Sequence, residues 1–224
     1  MDFSNKSVLL LGDSHTVGKY GDDLGAYLTA AGAKVTKLAN VGASATDYVG
    51  KGKYASSYSA AIGDSSPFDV AIITLGTNDA AKYGVNQTKT ADALSSLASN
   101  SAPVVFYVGP PAFSDKIAAT YTPDLNTEAD AVWTTVAPLF GVAALDPRNA
   151  TTPFVQDSNI HFGPDGYQAW ADFVWGVLSR PDVVGVTAAA DGSGTLVPVA
   201  GGSGSGLLII GLALGGLFFW LRRK

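Results

Sequence analysis

Short apolar runs alternate with longer mixed stretches over the first 180 residues of the chain. The runs cover 6–11, 33–38, 69–75, 103–108 and 141–145, and each is rich in Val, Leu or Ile. Continuous apolar runs of this length fit strands buried on both faces of a parallel sheet. The stretches 16–31, 87–100, 126–139 and 164–179 carry helical spacing instead. In the last of them Tyr167, Trp170, Phe173, Val174 and Val177 recur every three or four residues and form one apolar face. Gly32 and Pro181 stand where helices stop, and Asn86 stands where one is capped. The Ser-, Tyr-, Gly- and Lys-rich segment 44–63 fits neither template. Strands separated by helices predict an α/β domain over residues 1–180, with a five-stranded parallel sheet covered on both faces.

The pattern changes after Arg180. Residues 181–206 are rich in Gly, Ala, Val and Ser and end in Gly201-Gly202-Ser203-Gly204-Ser205-Gly206, which is flexible-linker composition. Residues 207–221 are uninterruptedly non-polar, and Arg222, Arg223 and Lys224 follow. A helix of that length spans roughly 22 Å, so flanking residues and snorkelling arginines are needed to match a hydrocarbon core of ~30 Å. Trp220 beside the basic cluster fits an interfacial anchor. The expectation is a C-terminal transmembrane helix and a single-pass, membrane-anchored protein. Gly211 and Gly215 are spaced for close helix–helix approach, so self-association through them is also expected. The first apolar run is too short for a signal peptide, and tail anchoring without one leaves the domain on the side of synthesis. The basic tail, by the positive-inside rule, argues for the opposite orientation. The side of the membrane therefore stays open, between a cell envelope and a viral membrane.

Composition narrows the chemistry. The chain lacks cysteine, which excludes disulfides and thiolate metal sites. Two histidines, His15 and His161, are too few for a His-rich metal centre. The net charge is -5, and without Arg222, Arg223 and Lys224 the remaining 11 basic and 19 acidic residues give -8. An acidic domain repels phosphates, so nucleic acid is not an expected partner.

Candidate chemistry collects where strands end. Gly12-Asp13-Ser14 follows the first apolar run and Gly76-Thr77-Asn78-Asp79 follows the third. Active sites of open α/β sheets lie at that carboxyl edge. A serine hydroxyl needs a base to take its proton, and His161, with an ordinary pKa near ~6.5, is the obvious one. His15 directly follows Ser14, so its ring points away from the hydroxyl; lining the pocket and contacting substrate is its expected role. Asp13 and Asp79 suit loop fixing through backbone N–H groups, and Asp165 suits the start of a helix.

Four blocks in order carry a family resemblance: Gly12-Asp13-Ser14, Asn40-Val41-Gly42, Gly76-Thr77-Asn78-Asp79, and His161 within Asp157-Ser158-Asn159-Ile160-His161-Phe162-Gly163-Pro164-Asp165-Gly166-Tyr167. Together they resemble the SGNH (GDSL-type) serine hydrolases over residues 6 to about 180. The resemblance implies a flavodoxin-like three-layer α/β/α sandwich and an esterase with no cofactor. It implies Ser14 as nucleophile and His161 as base. It also implies an oxyanion hole made by the backbone N–H groups of Ser14 and Gly42 and the amide of Asn78. Glycine at 42 also lets substrate approach the backbone.

The family aspartate normally stands three residues before the histidine. Here that position is Ser158, and Asp157 lies one residue further away. A lengthened loop can still bring Asp157 to the imidazole; otherwise Ser158 or a backbone carbonyl orients the ring in a Ser-His dyad. The stretch from Gly12 to Leu24 is similar to carbohydrate-active members, including peptidoglycan O-acetylesterases. Tyr48, Tyr54, Tyr58, Phe113 and Tyr121 then stand either as sugar-stacking residues or as core. The expected function is removal of small acyl groups, above all O-acetyl, from a cell-envelope polysaccharide such as peptidoglycan. Two other readings stand beside it: a lipase or thioesterase for longer acyl chains, and a non-catalytic anchored binding protein on a hydrolase fold.

Overall fold

The structure is a computed structural model, and it describes residues 1–63, 67–82, 87–121, 123–189 and 195–199. Its strands are β1 (Ser7–Gly12), β2 (Lys34–Ala39), β3 (Val70–Thr74), β4 (Val104–Val108), β5 (Ala144–Leu145), β6 (Val186–Ala188) and β7 (Leu196–Pro198). Its helices are α1 (Ser14–Val17), α2 (Lys19–Ala30), α3 (Ala55–Ile62), α4 (Thr77–Ala81), α5 (Gln87–Ser101), α6 (Asp115–Ala118), α7 (Leu125–Phe140), α8 (Arg148–Thr151) and α9 (Pro164–Leu178).

One sheet runs in the order β2-β1-β3-β4-β6-β7, with β5 also paired to β4. Strands β1 to β5 are parallel, as their apolar runs predict. Val8 to Leu11 of β1 and all of β3 are buried, whereas edge strand β2 exposes Lys34, Thr36 and Lys37. The crossovers β1–α2–β2 and β3–α5–β4 travel in opposite directions across the sheet. Right-handed connections therefore put α2 and α5 on opposite faces. Helix α9 packs on α2, and α7 packs on α5. The buried stripe of α9 comprises Gly166, Tyr167, Trp170, Ala171, Val174 and Leu178, at the helical spacing read from the sequence. Trp170 stacks on Tyr20 of α2 with centroids 4.4 Å apart.

The sheet is larger and more mixed than the five parallel strands expected. Strands β6 and β7 form an antiparallel pair, and Val186 docks antiparallel on Val105 of β4. These strands lie inside 181–206, the segment whose composition reads as linker. Val186 is buried, and Gly185 passes so close to β4 that a Cβ there would meet the Val105 carbonyl at 2.9 Å. Small residues thus serve close packing here. The expected strand 141–145 narrows to two residues after a 3₁₀ turn at Gly141–Ala143. The expected helix 16–31 divides at Gly18, whose extended backbone ends α1 and opens α2.

Among the described residues no helix is long and apolar enough to cross a membrane. The expected span 207–221, its Gly211 and Gly215, the basic tail and the capping Asn86 all lie outside the described residues.

Candidate active site

Strand order reverses between β1 and β3, and the carboxyl ends of β1, β2 and β3 converge there. Ligands of open α/β sheets bind at such a switch point. Ser14 leaves β1, Gly42 leaves β2 and Asn78 leaves β3.

The turn into α1 is built by Asp13, the helix N-cap, whose carboxylate accepts the His15 N–H at 3.0 Å. Gly12 is needed just before it, because a Cβ would meet the Thr16 hydroxyl at 2.0 Å and the Thr74 carbonyl at 2.9 Å. This tight turn holds Ser14 half-buried at the mouth of the site. Its Oγ lies 2.9 Å from His161 Nε2.

The loop after β2 is tied to the end of β1. The Asn40 N–H and the Tyr48 hydroxyl both donate to the Gly12 carbonyl, at 3.2 and 2.6 Å. Gly42 adopts φ +73°, in the left-handed region, and faces open space where a side chain would stand. Asn78 Nδ2 donates to the Ala43 carbonyl at 3.0 Å and to Asp13 Oδ2 at 3.3 Å. The loops that carry Ser14, Gly42 and Asn78 are therefore bonded to one another, and the Asn78 amide is engaged by Ala43 and Asp13. Asp79 is buried and accepts the Ala45 N–H and the Thr90 hydroxyl. Burial pushes its pKa up to about 6, and burial with the nearby Asp79 charge pushes Asp13 up to about 7.

His161 is half-buried, and desolvation lowers its pKa. Its Nδ1 lies 2.9 Å from Asn159 Oδ1, which also accepts the His161 backbone N–H at 3.1 Å. Asp157 does not make the contact expected of it. Gln156 and Asn159 form an antiparallel bridge, so Asp157 and Ser158 make the tip of a tight turn. The Asp157 carboxylate is exposed there and faces Lys116 at 3.9 Å. Asn159 is the site residue that sequence reasoning missed. The available signal was a carboxamide two residues before the histidine, the spacing at which an Asx side chain accepts the N–H of residue i+2.

His15 is also placed differently from the substrate contact expected. It is fully buried behind His161, with the two ring centroids 5.1 Å apart. Phe162, Tyr167 and Trp170 surround it, and its Nδ1 lies 3.3 Å from the Tyr167 hydroxyl. Burial, helped by His161, pushes its pKa down to about 3, so it is a neutral wall. Tyr48, Tyr58 and Phe113 are buried too, which removes them from sugar stacking. Among the described residues no cluster of His, Cys, Asp and Glu is arranged to hold a metal ion.

A serine hydroxyl bonded to a histidine at the switch point of a doubly wound sheet defines a hydrolase of the serine type. Residues 10–169 match the GDSL-like lipase/acylhydrolase family, so the chain belongs to that family and is an SGNH-type serine esterase. Among solved structures, an acetylxylan esterase from Geobacillus stearothermophilus is 16% identical with a TM-score of 0.59, covering 80% of this chain and 97% of its own. An α/β hydrolase from the metagenome of Lake Arreo is 16% identical with a TM-score of 0.58, covering 79% and 97%. The M. smegmatis aryl esterase is 20% identical with a TM-score of 0.54, covering 74% and 94%. At these identities the likeness is one of fold. No curated protein matches the chain.

Proposed function

We propose that the protein removes O-acetyl groups from a cell-envelope polysaccharide such as peptidoglycan, working from a membrane anchor. The observation that carries the chemistry is the 2.9 Å contact between Ser14 Oγ and His161 Nε2, beside Gly42 and Asn78. Ser14 attacks the ester carbonyl as His161 takes its proton. The tetrahedral oxyanion accepts from the Ser14 and Gly42 N–H groups and from Asn78, whose longer bond to Asp13 is the one exchanged. His161 then protonates the departing sugar oxygen, and water, activated by the same imidazole, hydrolyses the acetyl-enzyme.

Acetylated sugar as substrate draws support from the acetylxylan esterase sharing the fold. The exposed Gly42 also suits a polymer lying across the mouth rather than a deep-bound molecule. The anchor rests on residues 207–221 with their basic flank. A second reading, hydrolysis of longer acyl chains, has its own support: Val41 is 68% exposed beside Gly42, and Val17 is exposed one turn after Ser14.

Purified full-length protein should hydrolyse aryl acetate and release acetate from O-acetylated peptidoglycan. Ser14→Ala should lower both by about 1000-fold or more, and undiminished turnover in that variant would end the reading. A chain-length series separates the two acyl classes: rates rising with acyl length favour the second. For the anchor, full-length protein should remain with membranes after alkaline washing, and a chain ending at residue 199 should wash off.

A further inference from the structure

Asn159 offers one oxygen to two nitrogens of the same residue. Oδ1 lies 3.1 Å from the His161 backbone N and 2.9 Å from its Nδ1. The backbone N–H can only donate, so the carboxamide atom facing it is the oxygen, not the NH2 group. With that orientation fixed, Nδ1 must carry a hydrogen to bond the same oxygen. Nε2 is then left with its lone pair toward Ser14 Oγ, 2.9 Å away. A carboxamide free to rotate would present NH2 to Nδ1 instead and strand the proton on Nε2, which destroys the base.

The neighbouring charges do not compete for the role. Asp157 faces Lys116 at the tip of the turn. Asp13 lies under α1, held by the His15 N–H and Asn78. Asp165 stands in the first turn of α9. His15 packs behind the ring, with the Tyr167 hydroxyl on its Nδ1.

We propose that Asn159 is the positioning residue of the active site, fixing the tautomer of His161 through its Oδ1, so that the relay is Ser14–His161–Asn159 and holds no carboxylate. This rests on the esterase reading of Ser14 and His161, and goes beyond it by replacing the family's anionic partner with a neutral one. The proton moves from Ser14 Oγ to Nε2, the resulting imidazolium keeps its Nδ1–H on Asn159 Oδ1, and the same proton later leaves with the alcohol. The cation is thus stabilised by a dipole and not by a counter-ion, which keeps the base deprotonated to lower pH.

The chain has only two histidines, so imidazole nitrogen NMR of the full-length protein reads His161 directly, with buried His15 as the silent second signal. The wild type should show the Nδ1–H tautomer at neutral pH. Asn159→Asp should keep that tautomer, raise the His161 titration by about one unit or more through the new charge, and move the acid limb of kcat/KM upward in step. Asn159→Ala should lose the single tautomer and lower kcat by about tenfold or more with little change in KM. Asp157→Asn should leave the titration, the tautomer and kcat in place.

The proposal is overturned if Asp157→Asn lowers the His161 titration and kcat while Asn159→Ala does neither. It is equally overturned if Asn159→Asp leaves the titration unmoved. A wild type without esterase activity, or an active Ser14→Ala, would overturn the esterase reading instead, and the NMR signals would still judge Asn159.

Discussion

Buried without charge, His15 links the packing behind the catalytic base to the pH response of the whole fold. Its folded pKa is pushed down to about 3, below the ~6.5 of an unfolded chain. Between those values the unfolded chain binds a proton that the folded one refuses. The contribution of His15 is therefore complete above pH ~6.5 and is lost as pH falls toward 3. Asp13 and Asp79 act with the opposite sign. Their folded pKa values, pushed up to about 7 and about 6, make the fold bind extra protons above pH ~4, so their contribution is lost as pH rises through those values. His15→Leu removes only the first of these trends. Its melting temperature relative to wild type should rise steadily as pH is lowered from 7 to 4, measured by thermal denaturation. An offset that stays constant over that range would mean that His15 protonates inside the fold.

At this scale the meeting of Ser14 with His161 was legible, because each sits at a strand end or loop whose position follows from the apolar pattern. Asp157 was not. Its misplacement comes from the Gln156–Asn159 bridge, a backbone pairing too short to leave a hydrophobic signature. The burial of His15 and Tyr48 depends on which way loops fold back over strand ends, a long-range fact that spacing does not encode.

Among the elements, the long α9 and the apolar strands β1, β3 and β4 appear close to where periodicity puts them. Length explains this, since several consecutive buried positions must agree. The break at Gly18 was hidden because α1 is a single turn whose form is dictated by presenting Ser14. Helix α2 returns directly beneath that turn. A Cβ on Gly21 would meet the Thr16 carbonyl oxygen at 1.9 Å, a backbone atom that cannot yield cheaply. Gly21→Ala should therefore cost about 1–3 kcal/mol of stability or more and lower kcat by disturbing α1. Gly176 on α9 is exposed and a Cβ there meets nothing within 4 Å. Gly176→Ala should instead stabilise by about 0.5–1 kcal/mol. Chemical denaturation of the two variants checks both signs, and equal effects would contradict the close approach at Gly21.

On the scale of the whole molecule, β6 and β7 finish the sheet beyond β4 and turn part of an apparent linker into domain. Three-residue strands, Val-Thr-Ala and Leu-Val-Pro, are too short to carry periodicity, and only the docking of Val186 on β4 reveals them. A chain ending at residue 184 leaves Val105 of β4 unpaired on that edge, with β5 still on Tyr107 and Val108, and loses the burial of Val186. Burying such a side chain contributes about 1.5–3 kcal/mol, so this chain should melt several degrees below one ending at residue 199. Identical melting curves would show that the pair adds nothing. At the opposite edge, Lys34 and Lys37 on β2 discourage another chain from extending the sheet.

The hairpin also sets a length. Once residues up to Pro198 belong to the domain, the chain between Ala200 and Gly206 is all that separates it from the non-polar run at 207–221. Fully extended, that stretch reaches roughly 25 Å. Under the membrane anchor proposed for 207–221, an enzyme tethered so closely would sweep only a thin shell above the bilayer. Acetyl groups carried deeper in a thick wall would reach it only by the polymer's own motion, so the depth of deacetylation would be governed by the tether and not by the turnover rate.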